Sequence, residues 1–232
     1  MENIDFSTSI GKIKLQNPFL NASGSWCQEI DQLQDLSKSQ SGAFICKSCT
    51  PLYREGNPPV RYWDNREMSI NSMGLPNLGL ETYLKLYDVV KYQKPYFMSI
   101  AGLSLEENLQ MTQSYLSYHN RSTISGLEYN LSCPNIIGKG QLGYDFKATE
   151  EYLRRILETE LSDVSKDELV IGVKLPPYFE LTHFGEVADI IKQYPRLDFV
   201  TCINSIANGL VVDTEKECPV IYPKSGFGGI GG

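Results

Sequence analysis

Six short apolar runs punctuate the chain, and each gives way to small or polar residues. They occupy residues 18–22 (PFLNA), 43–47 (AFICK), 96–101 (YFMSIA), 127–131 (LEYNL), 169–175 (LVIGVKL) and 199–203 (FVTCI). Runs this short suit strands buried on both faces. Amphipathic stretches lie between them. Residues 28–39 carry Ile30, Leu33 and Leu36 on one face, and 147–161 carry Tyr152, Leu153, Ile156 and Leu157. Residues 181–193 space Phe184, Val187, Ile190 and Ile191 in the same way, and 104–119 open on a Ser104-x-x-Glu107 capping box. Strands alternating with helices predict βαβ units and a parallel sheet. Both a closed TIM barrel and an open doubly wound sheet place ligands at the strands' C-terminal ends, so periodicity alone leaves the two open.

The segment 50–80 interrupts this rhythm and is rich in Pro, Gly and Asn. Loops of that length in compact domains are usually functional or disordered. The stretch 71–77 (NSMGLPN) reads as an ordered binding loop rather than a linker.

Composition narrows the function. The 232 residues are 41% hydrophobic and 21% charged, which provides for a sizeable core. A net charge of −7 without a basic run argues against nucleic acid and against anionic membranes. No apolar stretch approaches the roughly 20 residues of a membrane span, and residues 1–14 lack a signal-peptide layout. The six cysteines suit a reducing cytosol better than a disulfide framework. Cys46-Lys47-Ser48-Cys49 is formally C-x-x-C. If the strand continued through it the two thiols would face opposite ways, so no metal is expected. Residues 226–231 match G-x-G-x-x-G, but the helix and acidic residue that would confirm a dinucleotide site are not in this sequence, so alone the run says only that backbone approaches something closely.

The chemistry concentrates just past the strand ends. Lys47, Ser48, Asn71, Asn130, Cys133, Asn135, Lys174, Asn204 and Ser205 all fall there. Asparagines offer donors and acceptors together, which suits a planar ligand with imide and carboxylate edges. A lysine beside a flavin stabilises the negative charge of reduction. A thiol near cations can act as a base, whereas His119 and His183 lie in helical segments. Singly, an asparagine after a strand is more often a turn residue and a lone cysteine a buried one. A lysine inside an apolar strand is harder to dismiss, and the combination decides.

Several ordered motifs resemble one family. Residues 21–24 (NASG), 54–58 (REGNP), 69–77 (SINSMGLPN), 130–135 (NLSCPN), 172–179 (GVKLPPYF), 204–206 (NSI) and 226–232 resemble dihydroorotate dehydrogenases of class 1A. The resemblance implies a TIM barrel binding FMN, and oxidation of dihydroorotate to orotate with reduction of fumarate to succinate. It implies Cys133 as base, with Lys47, Asn71, Met73, Gly74, Leu75, Asn130, Asn135, Asn204 and Ser205 around the substrate. Ala22, Ser23, Lys47, Ser48, Asn130, Lys174 and Gly232 would line the cofactor. A cysteine base looks like class 1, and the Lys174-Leu175-Pro176-Pro177 run looks like subclass 1A, a cytoplasmic homodimer. The related domain of dihydropyrimidine dehydrogenase typically ends the cysteine motif in histidine, where Asn135 stands here. With the chain ending at Gly232, about six of the eight βα units are expected, in one C-terminally incomplete domain over 1–232. Two other readings stay open: an inactive fragment or binding module of this family, and an FMN barrel acting on another dihydropyrimidine.

Overall fold

The computed structural model describes residues 4–132 and 140–231. A hairpin of β1 (Thr8–Ile10) and β2 (Ile13–Leu15) precedes α1 (Ile30–Lys38) and β3 (Phe44–Ile45). The segment after β3 carries β4 (Tyr62–Asp64), β5 (Ser69–Asn71) and the short helices α2 (Leu80–Leu84) and α3 (Leu86–Val90). Three strand–helix units follow. They are β6 (Tyr96–Ile100) with α4 (Leu105–Ser117), β7 (Gly126–Asn130) with α5 (Phe146–Arg154), and β8 (Val170–Lys174) with α6 (Leu181–Gln193). The chain then runs through β9 (Phe199–Thr201), β10 (Ile206–Leu210), β11 (Val212–Asp213), β12 (Cys218–Pro219) and β13 (Phe227–Gly231).

The parallel sheet is real and has the order β3-β6-β7-β8-β9. Every residue of β6 and β8 is buried, as continuous apolar runs require when both faces are covered. One expected strand is absent from it. Residues 18–22 form no strand, although they lie beside β3. The Asn21 side chain does the pairing instead: its Oδ1 accepts from the Ile45 N–H at 3.0 Å and its Nδ2 donates to the Ile45 carbonyl at 2.8 Å. A carboxamide carries the same donor and acceptor as a peptide group, so it can close a sheet edge where the backbone turns away.

The helices follow the expected stripes with two departures. In α4, Ser104 Oγ accepts from the Glu107 N–H at 3.1 Å, but Glu107 returns its bond to the Leu103 N–H rather than to Ser104. In α6, Val187 and Ile190 are buried, whereas Phe184 is 49% exposed and lies edge-on to Tyr178, with ring centroids 6.0 Å apart. The stretch after α5 continues as a π-helix over Arg155–Glu160 and buries Ile156 and Leu157 as the pattern requires.

A second sheet was not legible as such. It is antiparallel, with order β10-β13-β5-β4. It joins the segment after β3 to the last part of the chain. The glycine-rich run 226–231 is therefore mostly a central strand and opens no helix, which removes the dinucleotide reading. Strand alternation also stops at Ile45, so Cys46 and Cys49 do not diverge. Both are fully buried in one apolar cluster with Phe44, Tyr83 and Met98.

Candidate active site

The C-terminal ends of the parallel strands and the antiparallel sheet enclose a cavity of about 430 Å³. Volumes of this order hold small-molecule ligands. From the parallel side come Ser23, Lys47, Ser48, Asn130, Lys174 and Asn204. From the antiparallel side come Tyr62, Asn71, Phe227, Gly228 and Gly229. The loop contributes Met73, Gly74 and Leu75, and Ala22 and Ser205 complete the expected set within the described residues. Cys133, Asn135 and Gly232 lie outside those residues. His119 and His183 are elsewhere, packed on aromatic rings: His119 on Tyr118, His183 on Phe146.

Sequence position explains each placement. Asn130 and Lys174 are the last residues of β7 and β8 and pair in register across the sheet. Lys47 and Ser48 follow β3, and Asn204 follows β9. Asn71 ends β5, paired with Gly229 of β13. The loop 71–77 is held by its own last residue. Asn77 is fully buried, and its Oδ1 accepts from the Gly79 N–H at 2.9 Å while its Nδ2 donates to the Leu75 carbonyl at 3.0 Å. Gly74 has φ of 74°, and a Cβ there would stand 2.6 Å from the Asn57 backbone nitrogen, so the turn needs glycine.

The polar groups are tied to one another. Asn130 Nδ2 donates to Ser48 Oγ at 3.1 Å, and its Oδ1 accepts from the Ser132 N–H at 3.0 Å. The Ser132 hydroxyl donates to Gln141 Oε1 at 2.8 Å, and Asn204 Nδ2 reaches the Ser132 carbonyl at 3.4 Å. Lys174 and Lys47 are both buried, and Lys174 Nζ donates to Ser23 Oγ at 3.3 Å. Buried cations are expensive unless something compensates them.

Part of that compensation escaped the sequence reading. Glu128, in the middle of β7, is 3% exposed. Its carboxylate accepts from Ser23 Oγ at 2.9 Å, Ser99 Oγ at 2.9 Å and Thr201 Oγ1 at 2.7 Å. The signal was available: one carboxylate inside an apolar run, with a hydroxyl residue inside the runs 96–101 and 199–203.

The buried thiols are poor bases. Burial pushes Cys27 up to about 11, although the Lys47 and Lys174 ammonium groups pull the other way. Burial pushes Cys46 up to about 12, and Cys49 moves in the same direction for the same reason. Neither Cys202 nor Cys218 lines the cavity. Among the described residues no three His, Cys, Asp or Glu side chains gather as a metal site.

Residues 6–232 match the family described as dihydroorotate dehydrogenase. The chain belongs to that family. It is 49% identical to the dihydroorotate dehydrogenase A (fumarate) of Lactococcus lactis subsp. cremoris strain MG1363, over 97% of this chain and 70% of that protein. It is 47% identical to the dihydroorotate dehydrogenase (fumarate) of Trypanosoma cruzi strain CL Brener, over 93% of this chain and 67% of that one. Identity to the dihydroorotate dehydrogenase (fumarate) of Lachancea kluyveri is 48%, over 94% of this chain and 67% of that one. Membership makes the fold that of the TIM-barrel dihydroorotate dehydrogenases, and the five parallel strands are part of that barrel. The cavity then sits where such barrels carry their chemistry, at the C-terminal face of the strands.

Proposed function

We propose that the chain oxidises dihydroorotate to orotate in pyrimidine synthesis, with FMN as cofactor and fumarate as acceptor, fumarate leaving as succinate. One observation carries the reading. Two buried lysines and three asparagines, Lys47, Lys174, Asn71, Asn130 and Asn204, converge on one cavity at the strand ends. The donor set fits a flavin, because a cation fixed at the wall stabilises the negative charge that reduction places on the ring. Ala22, Ser23, Lys47, Ser48, Asn130, Lys174 and Gly232 would hold it. Bound there, FMN would supply hydride acceptance and return of the electrons to fumarate.

The chain's own residues do the rest. Asn71, Asn130, Asn135, Asn204, Ser205 and Lys47, with Met73, Gly74 and Leu75, hold the substrate by amide, hydroxyl and ammonium contacts. Cys133 takes the proton from the ring carbon next to the one that loses hydride. The antiparallel sheet excludes water from the face opposite the barrel. The reading includes a homodimer working in the cytoplasm. Among the described residues no helix is long and apolar enough to cross a membrane.

The test is an absorption spectrum of the purified chain, then anaerobic addition of dihydroorotate. A flavin band that bleaches and returns with fumarate supports the reading. A colourless protein refutes it for this chain, and bleaching by dihydrouracil in preference to dihydroorotate would assign another substrate. Lys174→Ala is expected to lower the affinity for FMN, or the equilibrium constant for its reduction, by about tenfold or more, the worth of one charge-assisted hydrogen bond. Unchanged FMN content together with an unchanged potential would remove Lys174 from the cofactor's neighbours.

A further inference from the structure

We infer that Glu128 is a positioning residue whose buried charge fixes the direction of two hydroxyl chains, one ending on Lys174 and one on Asn130, and thereby sets the electron affinity of the site. The inference rests on the proposed flavin chemistry and deepens it.

The argument starts from hydrogen-bond valence. An ionised carboxylate only accepts, and a hydroxyl has a single proton to give. Ser23 and Ser99 both approach Glu128 Oε1 at 2.9 Å, and Thr201 approaches Oε2 at 2.7 Å. Each hydroxyl therefore spends its proton on the carboxylate and presents its lone pairs outward. Ser23 can then accept from Lys174 Nζ, which stands 3.3 Å away. Ser99 can accept from Ser48, whose oxygen is at 2.9 Å. Ser48 gives its proton to Ser99 or, at 3.4 Å, to Ser23, since Glu128 already holds the protons of both, and either way it accepts from Asn130 Nδ2 at 3.1 Å. One N–H of the Asn130 amide is thus turned to Ser48 and its oxygen holds the Ser132 N–H, which leaves the second N–H for the cavity. Two groups on the cavity wall are oriented by one anion behind it.

That anion also matters by its charge. Glu128 does not line the cavity, but it stands one serine away from the Lys174 ammonium. In a low-dielectric interior such a charge is felt strongly. It offsets part of the field of Lys174, so it disfavours the negative charge of a reduced flavin.

The test compares Glu128→Gln with Ser99→Ala in the flavin-loaded chain. Glutamine keeps the shape, offers its carbonyl to Ser23 and Ser99 and loses the charge. It is expected to raise the equilibrium constant for flavin reduction about tenfold, a rise of about 30 mV for a two-electron couple. Ser99→Ala keeps the charge and removes the shorter link from Glu128 to Ser48 and Asn130, leaving only the 3.4 Å contact of Ser48 with Ser23. It is expected to weaken orotate binding about tenfold while leaving the potential in place. The inference is overturned if Glu128→Gln keeps its flavin and the parent's potential, or if both variants move both readouts together, which is the mark of a packing role. Should Glu128→Gln fail to fold, Ser99→Ala decides alone: unchanged orotate affinity overturns the chain. A flavin-loaded parent beside an unmoved Glu128→Gln refutes only the role of Glu128, whereas a parent that takes up no flavin refutes the proposed function itself.

Discussion

Cys133→Ser is expected to slow reduction of the bound flavin by dihydroorotate about 100-fold or more at neutral pH, the usual worth of a general base. The direction follows from acidity. A free thiol has a pKa near 8.5, so a useful fraction is thiolate at neutral pH, whereas a serine hydroxyl is far weaker as an acid. In the parent, the rate should rise with pH and level off once the thiol has ionised. In the serine variant that rise should move to much higher pH. Stopped-flow absorbance at a series of pH values reads both. The residue before Cys133 is held on three sides: Asn130 holds the Ser132 N–H, Gln141 its hydroxyl and Asn204 its carbonyl. The described thiols do not compete, because Cys27, Cys46 and Cys49 are kept protonated by burial and the other two lie off the cavity. A serine variant that reduces flavin at the parent's rate would move the base elsewhere.

The parallel sheet was legible because four of its strands, β3, β6, β7 and β8, are almost wholly buried on both faces, and burial of that kind leaves a continuous apolar run. Where another force takes over, the pattern misleads. Residues 18–22 look like a strand, yet the edge is closed by the Asn21 side chain, which no periodicity records. The antiparallel sheet hides because β4 and β5 have only three residues each, too few to show alternation, and β13 is three-fifths glycine. Polar residues at the strand ends were easy to find, since chemistry in such folds gathers there. Glu128 was passed over for the opposite reason. It sits in mid-strand, where a charge is tolerated only with partners, and its partners Ser23, Ser99 and Thr201 come from three separate segments.

Gly228→Ala should damage substrate binding more than flavin binding. Gly228 lies in the central strand β13, and a Cβ there would stand 2.4 Å from the Asn71 carbonyl oxygen and 2.9 Å from its carbon. Those are backbone atoms of the neighbouring strand, so no rotamer change relieves the clash. Strand β5 must move, and Asn71 ends that strand. Overpacking of this kind costs about 1–3 kcal/mol of stability. The larger effect is local. The Asn71 amide is carried away from the cavity it lines, and orotate affinity should fall about tenfold, the worth of a good hydrogen bond left unmade. Flavin content should hold, because Lys174 stands in β8, Lys47 just past β3, and Ser23 is bonded to Glu128 of β7, all away from β5. Gly185→Ala is the matched control. Gly185 lies within α6, a Cβ there meets nothing within 4 Å, and alanine should be neutral or stabilising by about 0.5–1 kcal/mol. Titration of orotate against the flavin spectrum, with denaturant unfolding beside it, separates the two. If Gly228→Ala bound orotate as the parent does, the antiparallel sheet would be a cover over the site rather than a wall of it, and Asn71 would lose its place among the substrate's partners.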